Sequence, residues 1–234
     1  MTESVSKTKN ELGKRGMSDA KLKVKGIMFD LDGTILDTKL AYLEAARIAC
    51  KAIGLNELEN ELALEVPKRM EQRRPLNNII GTNTKEFVQA YLKAFYRVSA
   101  SKTLPMPFVA DTLDVLNSKA KLAVITMRFM PRKMIVKELN QFCLDKYFIH
   151  VITGLDTRLP KPSPEALIKA AAAMNVHMFE CAIVGDSIVD VKAGKAAGAK
   201  TIAVLSGLYS REELEKADPD YIINSIAELP RIVA

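Results

Sequence analysis

The chain has no tryptophan, only 6% aromatic residues, two histidines and three cysteines in 234 residues. So few rings argue against a nucleic-acid platform, which needs aromatic faces for bases beside a basic surface. His150 and His177 leave little material for a histidine metal centre or a Ser-His-Asp triad, and both read as core or surface residues. Cys50, Cys143 and Cys181 are odd in number, scattered and set in apolar runs. They make neither a disulfide framework nor a metal cluster, and read as buried thiols of a reducing cytoplasm. No apolar stretch approaches the roughly 20 residues of a membrane span, and residues 1–25 lack the apolar core of a secretory signal. The expectation is a cytoplasmic protein without membrane or nucleic-acid partners.

Apolar residues at 48% and charged ones at 26% are near the globular average, which excludes disorder as the general state. The net charge is +6, but residues 1–25 hold seven Lys and Arg against three Asp and Glu, so the body is nearly balanced. Residues 1–22 have no apolar periodicity and are expected to form a disordered basic tail.

Beyond that tail, short apolar runs recur at Val24–Asp30, Leu122–Thr126, Phe148–Ile152, Cys181–Gly185, Thr201–Val204 and Tyr221–Ile223. Continuous apolar runs of this length predict strands buried on both faces of a parallel sheet. Helical patterns lie between them at Pro131–Phe142, Ser163–Met174, Ile188–Gly198 and Arg211–Ala217, which predicts a doubly wound α/β domain. Ser163 is expected to cap its helix with Pro164 in the first turn, and Gly198 to close the next. Residues 38–107 break the rhythm. They show only helical periodicity, at Ala41–Ile53, Leu58–Met70 and Lys85–Ser99, with breaks at Gly54, Pro67, Pro75 and Gly81. The expected domains are thus a core of residues 23–37 and 108–234 and a helical cap of residues 38–107.

Four features fall at the carboxyl ends of predicted strands, where open α/β sheets bind ligands. They are Asp30-Leu31-Asp32-Gly33-Thr34, then Thr126, then Lys161 between two prolines, then Gly185-Asp186-Ser187-Ile188-Val189-Asp190. Each alone has an ordinary reading as a turn, a structural threonine or a loop charge. Several acids at one sheet edge repel one another, however, unless a cation and a lysine offset them.

In this order, the four resemble the motifs of the haloacid-dehalogenase-like hydrolase superfamily, and the resemblance covers the chain from about Lys23 to its end. It implies a Rossmann-like core with a C1-type helical cap. Asp30 would be the nucleophile that forms an aspartyl-phosphate, and Asp32 the acid to the leaving alkoxide and then the base for water. Asp30, the backbone carbonyl of Asp32 and Asp186 would hold Mg²⁺. Thr126, the Met127 backbone and Lys161 would bind the phosphoryl group, and Asp190 would position Lys161 or the metal's waters.

Asp32 separates phosphate-ester hydrolysis from halide displacement, which needs no proton for its leaving group. By cap type and length the phosphoglycolate phosphatases are the most similar branch. The rival readings are a phosphomutase of the β-phosphoglucomutase type, a receiver-like domain, and a non-catalytic interaction protein on this scaffold. Two features bear on the substrate, a small phosphorylated metabolite. Arg128 follows motif two and is either a substrate-carboxylate contact or a solvated loop charge. In the cap, Lys68–Arg74 sets four basic residues against one Glu; Arg73 or Arg74 would read a second anionic group, unless this is a solvated helix face. A monomer or homodimer is expected.

Overall fold

The computed structural model describes residues 21–234. In chain order its elements are β1 (Gly26–Phe29), β2 (Leu36–Asp37), α1 (Lys39–Ala52), α2 (Asn60–Glu71), α3 (Asn77–Ile80), α4 (Thr84–Lys102), β3 (Leu104–Pro105) and α5 (Val109–Asn117). They continue with β4 (Lys121–Ile125), α6 (Arg132–Asn140), β5 (Phe148–Ile152), α7 (Glu165–Met174), β6 (Cys181–Gly185), α8 (Ile188–Ala197), β7 (Lys200–Val204), α9 (Arg211–Glu215), β8 (Tyr221–Ile223) and α10 (Leu229–Ile232).

Six strands form one parallel sheet in the order β5-β4-β1-β6-β7-β8. Each strand predicted from an apolar run is present, and the period of two decides which face each residue serves. Ile27, Phe29, Leu122, Val124, Ala182 and Val184 enter one core, together with Leu113 and Leu116 of α5 and Ile135 and Leu139 of α6. The alternate residues Met28, Ala123, Ile125 and Ile183 enter a second core against α7, whose Ala166, Ala170 and Ala171 let the helix lie close to the sheet. With β1 in the centre, its carboxyl end is flanked by those of β4 and β6, where motifs two and four begin.

Helices α1 to α4 gather around a core of their own. The alanine stripe Ala41, Ala45, Ala46 and Ala49 of α1 receives Phe87, Tyr91 and Phe95 of α4. Small residues at i, i+4, i+5 and i+8 on one helical face allow this close packing. The chain passes into and out of this unit through β2 and β3, which pair antiparallel with Leu36 opposite Pro105. Two-residue strands carry no periodicity, so this ribbon had no signature in the sequence.

Several expectations need correction. Pro67 does not break α2 but lies inside it, because a proline omits one backbone donor without obliging the helix to end. The short α3 was not anticipated. Ser163 precedes the helix by one residue more than expected, and Pro164 takes the capping place. Leu22, assigned to the tail, pairs with Val233 and is buried; residues 1–20 of that tail lie outside the described residues. Cys143 is exposed rather than buried, since it turns out of the end of α6 at φ 57°. Cys50 and Cys181 are buried, and Gly198 does close its helix with a left-handed residue, φ 79°. Among the described residues no helix is long and apolar enough to cross a membrane.

Candidate active site

Asp30 follows the last residue of β1, and its amide still donates to the Val184 carbonyl at 2.9 Å. This leaves its side chain at the carboxyl edge of the sheet. Lys161 Nζ lies 2.5 Å from Asp30 Oδ1 and 2.5 Å from Asp190 Oδ1, and all three residues are buried. Asp190 stands in the first turn of α8, in a capping box where the Ser187 hydroxyl donates to its Oδ2 at 2.7 Å. Burial opposes the Lys161 cation, but Asp190 and Asp30 outweigh it and raise the ammonium's pKa above the usual lysine range. Burial pushes the Asp30 carboxyl up; Lys161 opposes this, while Asp190 and Asp32 add to it.

Asp186 is the site's least compensated charge. Burial, then Asp30, Asp190 and Glu71, raise its pKa well above the carboxylate range, with only Lys161 opposing. It accepts a hydrogen bond from the Thr34 hydroxyl at 3.2 Å. The backbone wraps it closely. Gly33, at φ 83°, and Gly207 both lie where an added Cβ would collide with its carboxylate, so both positions require glycine. Asp30, Asp186 and Asp190 bring ligand oxygens within 4.8 Å of one another. One lysine among three buried carboxylates leaves excess negative charge, and an all-oxygen donor set suits a hard divalent cation.

Thr126 ends β4 with its amide bonded to the Ile152 carbonyl at 2.9 Å, and Met127 lies on the wall of the adjoining cavity. The structure therefore brings Asp30, Asp186, Asp190, Lys161, Thr126 and Met127 to one sheet edge. Asp32 lies on the floor of the same cavity. Its carboxylate receives Arg128 through Nη2 at 2.6 Å and Nε at 2.9 Å, a two-pronged contact.

Arg128 departs from one of the alternatives posed for it, although it lines the adjoining cavity. It is 4% exposed, which excludes the solvated loop charge. Its charge is shared between Asp32 and the buried Glu138, whose Oε2 lies 2.5 Å from Nη1, and its guanidinium sits 5.1 Å from the Phe95 ring centre. A guanidinium committed to two carboxylates is a poor partner for a third. Arg74 is also corrected: its side chain is 50% exposed and lies 3.7 Å from Glu65, away from the cavity wall. Arg73 does line the cavity and is exposed.

That cavity, about 410 Å³, lies between helices α1, α2 and α4 and the sheet edge, with Asp30, Asp32 and Asp186 on its floor. The end of α2 is tied down over it. Tyr209 donates to Glu71 Oε2 at 2.7 Å and receives Gln72 Nε2 at 2.9 Å, while Lys68 meets Glu213 at 2.9 Å. Burial, then Asp190, pushes the Glu71 carboxyl up to about 7. Glu71, Tyr209, Thr34 and Glu138 were missed as site residues. Thr34 had a signal as the last residue of the first motif, and Glu138 as a glutamate beside Ile135 and Leu139 on the buried face of α6.

The pattern of the family described as haloacid dehalogenase-like hydrolase matches residues 27–204. A phosphoglycolate phosphatase from Escherichia coli (strain K12) is 30% identical over 233 residues, covering 88% of this chain and 91% of its own. Pyrophosphatase PpaX from Halalkalibacterium halodurans is 27% identical over 215 residues, covering 91% and 98%. Among solved structures, a hydrolase of the haloacid dehalogenase-like family from Streptococcus pneumoniae superposes with a TM-score of 0.75 at 19% identity. It covers 88% of this chain and 97% of its own, a likeness of fold.

Proposed function

The chain belongs to the haloacid dehalogenase-like hydrolase family and is a phosphatase of it, and we propose that it hydrolyses a small phosphorylated metabolite through an aspartyl-phosphate on Asp30. The observation that carries this reading is the buried Asp30–Lys161–Asp190 chain beside Asp186, opening onto a cavity that also holds Asp32.

Asp30 attacks phosphorus, forming its own P–O bond as the bond to the leaving alcohol breaks. Asp32 gives its proton to the departing alkoxide, then takes one from the water that cleaves the acyl phosphate, and Asp30 is regenerated. Lys161, the Thr126 hydroxyl and the Met127 backbone amide hold the non-bridging oxygens as charge shifts among them. Lys161 also keeps Asp30 pointed along the line of attack, and Asp190 keeps Lys161 in place. Mg²⁺ held by Asp30, Asp186 and the Asp32 carbonyl would withdraw charge from the phosphoryl oxygens, so that an anionic carboxylate can approach an anionic ester. The relatives named for phosphoglycolate support a substrate with a second anionic group, and Arg73, with Lys39, is a cation on the wall able to meet it.

Chelation by EDTA is expected to reduce phosphate release by more than about a hundredfold, with Mg²⁺ restoring it. Mg²⁺ should also raise the melting temperature of the wild type, because an ion that binds only the folded state relieves the repulsion around Asp186. Asp186→Asn should lose that thermal response. A wild type fully active in EDTA, or an Asp186→Asn protein stabilised as much as the wild type, would remove the metal from this reading. For the substrate, Arg73→Ala should raise KM for a carboxylate-bearing ester about tenfold, whereas Arg74→Ala should stay within about twofold. Equal KM changes in the two variants would return both arginines to the solvated surface.

A further inference from the structure

We propose that the leaving alcohol of the natural substrate carries a planar ring, received in a slot between the cap helices and the loop after β4; this rests on the phosphatase reading above.

The argument starts from an imbalance. A chain with 6% aromatic residues places four of its six tyrosines, Tyr42, Tyr91, Tyr96 and Tyr209, on the wall of one cavity, together with Phe95 and Phe129. Burial accounts for Tyr91, Phe95 and Tyr209 but not for Phe129, which is 57% exposed. A large ring left open to solvent beside a catalytic floor is a surface waiting for a flat apolar partner. Nor are the rings independently placed. The Phe129 amide donates to the Tyr96 hydroxyl at 2.9 Å, so a ring of α4 and a ring of the β4–α6 loop are held in register across the opening. Phe95 stacks on Tyr42 with centroids 5.2 Å apart, which makes a continuous aromatic side to the slot.

Two further observations point to a ligand. Tyr91 lines the cavity and is buried, and its hydroxyl has no hydrogen-bond partner, whereas the Thr38 hydroxyl is paired with Tyr42. A buried hydroxyl without a partner is rare in native proteins, and this one on the cavity wall suits a ligand bearing a polar group on its ring. Charge agrees. Arg128 is shared by Asp32 and Glu138, and Lys68 by Glu213 and Glu65, so most of the wall's cationic charge is already paired, with Lys39 half-buried and Arg73 at the exposed rim. A two-carbon leaving group would touch little of a wall enclosing about 410 Å³. A ring would fill more of it.

The test uses non-hydrolysable mimics, so that leaving-group chemistry does not enter. Full-length protein with Mg²⁺ is titrated calorimetrically with benzylphosphonate and with ethylphosphonate, which share the phosphoryl mimic and differ in the ring. Benzylphosphonate is expected to bind at least about tenfold more tightly. Phe129→Ser should cut that ratio to about threefold or less, and Phe129→Tyr, which keeps a ring on an exposed position, should restore it. Equal affinities in the wild type, or a ratio unaltered by Phe129→Ser, would overturn the proposal. Phosphate release from benzyl phosphate and from simple alkyl phosphates is measured on the same preparation. An active enzyme without ring preference sinks only this inference, whereas ring preference in a protein that releases no phosphate sinks the phosphatase reading.

Discussion

Asp30→Asn is expected to lower kcat by at least about a thousandfold, close to 4 kcal/mol of barrier, while leaving the fold intact. An amide oxygen is too weak a nucleophile to open a phosphate ester, and no second carboxylate stands ready to replace it. Asp186 is wrapped by Gly33 and Gly207, and Asp190 is committed to Lys161 and Ser187. The expectation for stability has the opposite sign from that of most core substitutions. Burial raises the Asp30 carboxyl above its usual range, so its ionised form costs the folded state at neutral pH. The isosteric amide carries no such cost and lessens the repulsion felt by Asp186 and Asp190. Without Mg²⁺, then, Asp30→Asn should melt no lower than the wild type. More than a few percent residual turnover would sink the nucleophile assignment.

Arg128→Leu is expected to be the most destabilising single change at this site. Its guanidinium lies between Asp32 and Glu138, and Glu138 is already short of partners, with Oε1 buried and unbonded. Removing the shared cation leaves two carboxylates facing each other, and breaking a buried ion pair in this way costs about 3–5 kcal/mol. For a chain of this size that corresponds to a fall of roughly 10 °C in melting temperature. Turnover should fall about tenfold to a hundredfold as well, because Asp32 loses the contact that orients it. Adding Glu138→Gln should recover part of the stability, by removing one of the two stranded charges, but not the turnover. A double variant with both restored would show that Arg128 serves the fold alone. A melting temperature unchanged in Arg128→Leu would show that the pairing does not hold in solution.

The contrast between Asp30 and Arg128 shows what could be read from the residues alone. Asp30, Thr126 and Asp186 each stand at the end of an apolar run, and the run both marks the strand and aims its end. Their convergence needed only that β1, β4 and β6 be neighbours in a parallel sheet. Arg128 offers no such reading. Its partners Asp32 and Glu138 are 96 and 10 residues away, and nothing local tells a buried guanidinium from a loop charge.

The sequence by itself therefore determined the alternation of strand and helix, the all-helical insertion, and the edge on which the acids meet. These follow from local periodicity and from the rule that parallel strands present their carboxyl ends together. Tertiary structure decided which of those charges are spent and which remain available. It turned Asp32 toward Arg128, tied Glu71 to Tyr209, left Arg74 outside, and drew scattered aromatic residues onto one wall. The physical reason is range. Hydrophobic periodicity repeats every two or three to four residues and survives in any short window. An ion pair or a ring-lined slot depends on side chains from distant segments meeting within a few ångströms, and that becomes visible only when the cap is seated on the sheet.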